Sequence, residues 1–471
     1  METISGFSRD VASLLSKHRV YFGSGETRSA KWRDAQLAGL HAMVIERADD
    51  FHTAMWDDLR RSRTYTDKAE LKQVAYEAAY ARKRLRSWMR PQRVRAPLLL
   101  QPGRMEVRFD PLGVGLIIGP WNYPVMLTLS PLVGAIAGGN AAVIKPSDKA
   151  PATAAVLARL IPEYLDTDSF SVVLGGRAEM TALLEQRWDH IFFTGSSTVG
   201  KIVMAAAAKH LTPVVLELGG KNPAIVHSSA NLRVAARRIA QGRWQNSGQL
   251  CLAPDYVLVL KEVKEEFLRH LKDAAVEFYR APQQSVDYGC IVNTREYDRL
   301  MALLDNGDGD VYYSGEHDRE NRCMAPTILV NVAPDAVVME DEIFGPILPV
   351  LEVASVEEAI DYITKRPPPL GLYIFSENSQ VAQDILNATE SGGAAVNDCF
   401  LQAVMPGLPF GGVGTSGMGK YHGVWGFRSY TNPRGVVYHS ARIDPSLRYT
   451  RLISPTDSWF HLLFRTEQKS N

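Results

Sequence analysis

Residues 111–144 read PLGVGLIIGPWNYPVMLTLSPLVGAIAGGNAAVI, 34 residues without one charged side chain. A hydropathy scan would flag such a run as a membrane span. Pro120, Pro124 and Pro131 interrupt it, Asn122 and Asn140 sit within it, and Gly138-Gly139 breaks its end. It reads better as a buried strand over Val114–Ile118, a loop, a short buried helix and a second buried strand over Ala141–Ile144. Strands covered on both faces lose the polar alternation of half-buried ones and become continuous apolar runs. The stretch therefore predicts the middle of a parallel sheet.

Working downstream, apolar strands of the same kind recur at 171–174, 190–193, 214–217 and 223–226, with helical patterns at 150–164, 176–186 and 198–209. A second series follows: a helix at 231–246, a strand at 255–260, and an amphipathic helix at 263–280 carrying Val263, Phe267, Leu271 and Phe278. Such alternation implies βαβ units and an α/β fold with helices on both sheet faces. Upstream, the first ninety residues are helical in pattern, with Leu40, Val44, Phe51, Met55 and Leu59, then Leu71, Val74, Ala78, Leu85 and Trp88, at helical spacing. Seven basic residues and no acid between Arg82 and Arg95 read as a solvated helix face and a loop. Met105, Val107 and Phe109 alternate with Glu106, Arg108 and Asp110, which predicts a half-buried antiparallel strand. No repeat is visible, and the glycine-rich 407–426 segment, interleaved with Phe410 and Trp425, reads as an ordered loop.

The 471 residues suggest two large domains or three at roughly 150 residues each. Apolar and charged fractions of 46% and 22% exclude wholesale disorder. Basic and acidic residues balance at 52 each, which argues against nucleic-acid binding or coating of an anionic membrane. The widely spaced Cys251, Cys290, Cys323 and Cys399 form neither a disulfide framework nor a CxxC zinc pair, and no HExxH occurs, so no metal is expected. The N-terminus lacks a secretory pattern, and the cluster Trp459-Phe460 with Leu462–Phe464 is too short to span a bilayer. A cytoplasmic enzyme without a transmembrane segment is the expectation.

Chemistry gathers at predicted strand ends. Asp189–Lys201 runs from a strand through a glycine turn at Gly195 into a helix, a place for a phosphate or merely a tight turn. Gly195 to Lys201 satisfies GxxxxGK, yet Ile202 cannot hold Mg²⁺ as a hydroxyl would, which disfavours a nucleotide triphosphatase. Lys145-Pro146-Ser147-Asp148 also closes a strand, where Lys145 and Asp148 would meet a sugar or phosphate, or Ser147 or Asp148 would cap a helix. Glu217 is one acid in an apolar strand end, either paired or a base of raised pKa. Asn122 sits in a rigid proline loop, as an oxyanion donor requires. Cys251 follows Asn246-Ser-Gly-Gln-Leu; a glycine-flanked polar setting suits a nucleophile, though a lone cysteine is often inert. Cys290, in an apolar strand-like stretch, Cys323 and Cys399 look inert.

In order, Pro-Trp-Asn, Lys-Pro-Ser-Asp, Phe-Thr-Gly-Ser, Glu-Leu-Gly-Gly-Lys, Gly-Gln-x-Cys, Glu-Ile-Phe-Gly-Pro and Pro-Phe-Gly-Gly form a set that resembles the aldehyde dehydrogenase superfamily from about residue 20 to 440. Arg366-Pro-Pro-Pro-Leu-Gly-Leu-Tyr and Gly417-Met-Gly-Lys-Tyr-His-Gly423 look like its class 3 branch, near the coniferyl-aldehyde-type bacterial enzymes. The resemblance implies a Rossmann-type NAD(P)-binding domain over 1–90 and 111–211 and a catalytic domain over 212–400. It also implies oligomerisation strands at 91–110 and 425–445 and a tail at 446–471. Cys251 would be the nucleophile, Glu217 the general base, and Asn122 an oxyanion donor. Trp121, Lys145, Asp148, Gly195, Ser196, Gly200, Leu218, Glu342 and Phe344 would hold the cofactor, and Tyr123 and Phe410 would wall the substrate pocket. The family most often carries Glu where Asp148 stands, so NAD or NADP is expected, with NAD favoured. The implied reaction oxidises medium-chain aliphatic or aromatic aldehydes to acids in a homodimer. Transfer of the acyl group to CoA and a non-catalytic protein on this fold are the competing readings; Glu217 argues against the first, and the intact Cys251, Glu217 and Asn122 set against the second.

Overall fold

The computed structural model describes residues 2–97, 101, 103–279 and 288–442. Three sheets organise them. The first has six strands in the order Gly417–Met418, Val214–Glu217, His190–Thr194, Val114–Ile118, Ala141–Lys145 and Phe170–Val172. Its pairings are parallel except that of the edge strand 417–418, which runs antiparallel to 214–217. Val114–Ile118 and Ala141–Lys145 are buried along their whole lengths, so the uncharged run is the centre of this sheet. The chain moves outward from 114–118 to 170–172 and then returns to the other side of 114–118 at 190–194. That reversal opens a crevice at the carboxyl ends of the strands, where ligands of doubly wound sheets sit.

Asn140, within the run, is satisfied on both sides of its amide. Asn140 Oδ1 accepts from the Leu112 and Gly113 amides at 2.8 and 2.9 Å, and its Nδ2 donates to the Tyr430 carbonyl at 2.9 Å. The helix Met126–Gly138 is buried almost throughout and packs under the helices Ala30–Glu46 and Lys72–Trp88. Leu37, Leu40, Met43, Val44, Val74 and Ala78 reach 0% exposure in that layer; truncating one such leucine costs about 2–5 kcal/mol. In the expected basic segment, Arg82 pairs with Asp34 at 3.0 Å and Arg84 lies over the Tyr80 ring, the solvated face foreseen.

The second sheet orders seven strands as Asp310–Ser314, Thr327–Val330, Ile347–Val353, Tyr256–Leu260, Pro223–Val226, Gly371–Phe375 and Gly393–Val396, with only the first pair antiparallel. Gln92–Val94, Arg104–Pro111 and Thr431–Tyr438 form a separate antiparallel sheet.

Four expectations need correction. The division at 211/212 falls too early, because 214–217 hydrogen-bonds to 190–194 and the sheets change between Glu217 and Pro223. Among the described residues of 425–445, only Thr431–Tyr438 is strand, since Gly423–Ser429 is a helix. The strand expected at 171–174 is Phe170–Val172. Cys290 lies in a loop, its amide donating to the Leu59 carbonyl at 3.0 Å; burial, not strand pairing, made its neighbours apolar. The tail at 446–471, its apolar cluster included, lies outside the described residues. Among the described residues, no helix is long and apolar enough to cross a membrane, and no group of His, Cys, Asp and Glu could hold a metal ion.

Candidate active site

Four chemically active segments leave the carboxyl ends of neighbouring strands of the first sheet. Ile118 leads into the Gly119–Pro124 loop bearing Trp121 and Asn122, while Lys145 and Thr194 end the strands on either side. Glu217 ends the next strand and is followed by Leu218. Cys251 arrives from the other half of the molecule, between the helix Leu232–Trp244 and the strand Tyr256–Leu260.

The cysteine loop is strained. Asn246 and Ser247 are left-handed at φ 53° and 54°, and Gly248 follows at 74°. Non-glycine residues in that region cost about 1–3 kcal/mol each and persist only where surroundings dictate them. A Cβ on Gly248 would lie 2.2 Å from the Gly345 carbonyl oxygen, which explains the glycine before the thiol. Gln249 ties the loop down by donating to the Asn246 and Cys290 carbonyls at 3.0 and 2.9 Å and accepting from the Val292 amide at 2.9 Å. Beyond the thiol, Asn222 Nδ2 donates to the Cys251 carbonyl at 2.7 Å, and its Oδ1 accepts from Gly371 N at 2.7 Å.

A buried guanidinium joins the cysteine loop to the Asn122 loop. Arg61, 1% exposed, donates to Asn246 Oδ1 at 2.8 Å, to Glu70 Oε1 at 2.6 Å and to the Asn122 carbonyl. Glu70 Oε2 in turn accepts from the Val125 and Met126 amides, both at 2.8 Å, at the start of the buried helix. Asn246 Nδ2 reaches the same Asn122 carbonyl at 3.2 Å, and the Asn122 side-chain amide donates to the Gln249 carbonyl at 3.2 Å. A side-chain amide nitrogen carries two hydrogens, so one remains for a ligand. Sequence reading missed Arg61, Glu70, Asn222 and Gln249. An isolated Arg and Glu nine residues apart carry no motif, although the Asn-Ser-Gly-Gln run hinted at the loop.

Burial controls the electrostatics. Neither oxygen of the Glu217 carboxyl has a hydrogen-bond partner among the described residues, and desolvation raises its pKa well above the usual carboxylate range, with Lys420 opposing only in part. Burial likewise pushes the Cys251 thiol up, with the charges of Glu342 and Glu217 adding to it. Glu342 is pushed up to about 8, first by burial and then by Asp255, and its Oε1 has no partner among the described residues. Burial thus favours the protonated form of the thiol and of both carboxyls, and a nearby positive charge would shift the thiol toward the thiolate.

Two cavities, of about 530 and 440 Å³, converge on the thiol. Trp121, Lys145, Asp148, Gly195, Ser196, Leu218, Glu342 and Phe344 line the larger, together with Asn122 and Glu217. Its donors suit a dinucleotide. Lys145 Nζ is buried and, among the described residues, bonds only its neighbour's carbonyl, that of Pro146, at 2.9 Å, leaving hydrogens for a hydroxyl or phosphate. The helix after Gly195 starts with Ser196 as its cap, and Trp121 meets Phe344 edge to face at 5.4 Å. Neither Ser147 nor Asp148 caps the helix Pro151–Tyr164, whose cap position is Ala150. Gly200 does not line the cavity. A Cβ there would lie 2.7 Å from Leu218 Cδ2, so its bareness lets the helix close on the strand end. Ile202 is 55% exposed and outside both cavities, against a Mg²⁺-nucleotide site. Tyr123 and Phe410 line the smaller cavity with Met126, Leu127 and Leu250. Among the described residues, Cys251 alone lines both.

A family model described as the aldehyde dehydrogenase family matches residues 5–436. The chain is 46% identical to aldehyde dehydrogenase family 3 member B1 of Rattus norvegicus over 438 residues, covering 92% of this chain and 93% of that protein. It is 44% identical to the dimeric NADP-preferring aldehyde dehydrogenase of Mus musculus over 434 residues, covering 92% and 95%. A substrate-bound AldH of Staphylococcus aureus superposes with a TM-score of 0.92 at 39% identity, over 96% of this chain and 98% of that one.

Proposed function

The chain belongs to the aldehyde dehydrogenase family and oxidises aldehydes to carboxylic acids with NAD(P), and from that premise we propose that Cys251 carries the reaction with Asn122 and Glu217. The observation that carries this reading is the convergence of the two cavities on one thiol. The larger would hold the cofactor along Lys145, Asp148, Gly195, Ser196 and Glu342, and the smaller the aldehyde between Tyr123 and Phe410.

The Cys251 sulfur bonds to the aldehyde carbon, and its proton passes to a base. Negative charge gathering on the carbonyl oxygen is met by the free hydrogen of the Asn122 amide and the Cys251 backbone N–H. Preorganised donors of this kind are worth about 2.7–4 kcal/mol each. The cofactor, when bound, supplies the acceptor for the hydride that leaves the substrate carbon, so that carbon ends as a thioester on Cys251. Glu217 then takes a proton from water as the water oxygen attacks the thioester; the carbon–sulfur bond breaks and the acid departs. A carboxyl without partners and with a raised pKa suits that step, since it binds the proton it removes.

Asp148, one carbon shorter than a Glu, lines the larger cavity with Gly176, which supports use of either NAD or NADP. Medium-chain aliphatic and aromatic aldehydes suit the apolar walls of the smaller cavity. The antiparallel sheet of 92–94, 104–111 and 431–438, with Val437 56% exposed, supports a homodimer built on that face. The free thiols Cys251, Cys290, Cys323 and Cys399 support a reducing, cytoplasmic setting. The test is reduced-cofactor formation with hexanal and benzaldehyde, NAD or NADP, with and without CoA. Activity without CoA that Cys251→Ala abolishes, while cofactor still binds, is the expected result. Substantial turnover by that variant sinks the assignment, and a strict need for CoA replaces Glu217's role.

A further inference from the structure

The smaller cavity has a polar feature that the reaction above does not use. Glu77 and His422 both line it, buried at 5% and 8% exposure and paired at 2.8 Å between Oε2 and Nδ1. The pair comes from two distant parts of the chain, 345 residues apart. The other carboxylate oxygen of Glu77 accepts from the Gly423 amide at 3.3 Å. The His422 ring is stacked on Tyr421 at 4.0 Å between centroids, and its backbone is left-handed at φ 73°. Its orientation is therefore held from three sides. A buried carboxylate hydrogen-bonded to an imidazole on a pocket wall is costly to desolvate unless its polar atoms find partners. The Glu77 carboxylate can only accept, so Nδ1 carries the hydrogen between them, and in a neutral imidazole the other nitrogen is then the acceptor. Nε2 has no partner among the described residues and is left as a hydrogen-bond acceptor.

We propose that Glu77 and His422 form a specificity subsite for aldehydes that carry a hydroxyl group, the hydroxyl donating to His422 Nε2 while the rest of the molecule lies on Tyr123, Met126, Leu127 and Phe410. This rests on the assignment of the smaller cavity to the aldehyde. The Glu77 charge backs the acceptor, so groups that only accept hydrogen bonds, such as carboxylates, are disfavoured at the same place. The dyad does no covalent chemistry and selects among substrates.

The test compares a matched pair, 4-(hydroxymethyl)benzaldehyde and 4-ethylbenzaldehyde, which differ by a hydroxyl in place of a methyl. The measured quantity is the ratio of their kcat/KM values within each enzyme, so a general change in activity cancels. The wild type is expected to favour the hydroxylated aldehyde by about tenfold, the value of one hydrogen bond of ~1.4 kcal/mol. His422→Asn removes the Nε2 position, because the shorter amide does not reach that far into the cavity; it should bring the ratio close to one. Glu77→Gln releases the tautomer and should lower the ratio by about half on a logarithmic scale. A wild-type ratio near one, or a high ratio that His422→Asn leaves unchanged, overturns the subsite; so does a parallel loss on both aldehydes, which would make the dyad purely structural. Failure of the parent reading looks different: neither aldehyde would be turned over, or Cys251→Ala would still turn both over.

Discussion

The two cavities that meet at Cys251 are built by different rules. The larger is walled chiefly by residues that end or closely follow parallel strands, Trp121, Lys145, Gly195 and Leu218, each in a short stretch of contiguous sequence, with Glu296, Arg299, Glu342 and Phe344 closing it from other segments. The smaller is assembled from five separated segments, contributing Tyr65, Glu77, Tyr123, Gln245, Phe400, Phe410 and His422 among others. Backbone geometry dictates the first, through glycine turns and strand ends that few residues satisfy. Helix packing dictates the second, and packing accepts many side chains of similar size. A chemically demanding cleft is therefore written locally, whereas a shape-selective one is written across the whole fold.

The largest effect that tests this contrast is on the cofactor side. Glu217→Gln keeps the volume and removes the base, so one burst of reduced cofactor per site should survive while the steady state falls by about 10²–10⁴-fold. An undiminished steady state would remove Glu217 from the hydrolytic step. The pH dependence has opposite signs for rate and stability. Because burial raises the folded-state pKa of Glu217, the base becomes available only as pH rises, and turnover should climb along an acid limb. The same raised pKa means the folded state binds more protons than the unfolded one above the unfolded value of about 4.3, so stability should fall with rising pH. Glu342, at about 8, has the same direction. Thermal melts of Glu217→Gln against wild type across pH 5–9 should therefore show a shallower decline, and an identical slope would mean that Glu217 is ionised in the fold.

Between the cavities lies the Arg61 bridge, where the two rules meet. Arg61→Met strands Glu70 as a buried carboxyl without its cation, a loss of about 3–5 kcal/mol. Glu70 is already pushed up to about 7 by burial. The double variant Arg61→Met/Glu70→Gln should recover most of that stability, because Gln still accepts from the Val125 and Met126 amides. It should not recover kcat, which is expected to stay about 10–100-fold low because the Asn122 and Cys251 loops have lost their common guanidinium. Differential scanning calorimetry with single-turnover kinetics separates the two effects. Recovery of both together would reduce Arg61 to a structural role.

What the sequence reveals follows the same division. The strand ends, the glycine before Cys251 and the lone acid Glu217 were legible because each is a local demand: a buried strand needs an apolar run, and a left-handed turn against the Gly345 carbonyl needs glycine. The uncharged 111–144 run gave the central strands correctly for that reason. The boundary at 211 was misplaced because sheet membership of 214–217 depends on pairing with 190–194, which no single strand records. Arg61, Glu70 and Glu77 are invisible, and His422 stands in the quoted 417–423 stretch without a role, since a buried polar group is identified only by its partner, which for His422 is Glu77, 345 residues away. Gly200 shows the intermediate case. Its motif reads as a phosphate site or a tight turn, and its place under Leu218 makes it a packing glycine.

The smallest effect is expected on the packing side. Phe410 is 7% exposed, bridges antiparallel to Tyr421 through its backbone, and touches that ring edge to face at 5.5 Å. Phe410→Leu keeps an apolar wall and the backbone bridge, so the thiol and Glu217 should stay where they are. KM for benzaldehyde should then rise by about three- to tenfold, the worth of a partial loss of aromatic contact at ~0.5–1.5 kcal/mol, while kcat and NAD(P) affinity change less than twofold. Hexanal should be affected less than benzaldehyde, because an aliphatic chain packs on leucine nearly as well as on an aromatic ring. A large fall in kcat would mean that the wall also positions Glu217, whose Oε1 lies within 2.8 Å of where a Cβ on the next residue, Gly411, would stand. In that event the smaller cavity would share the geometric stringency of the larger, and the contrast between the two would fail at its narrowest point.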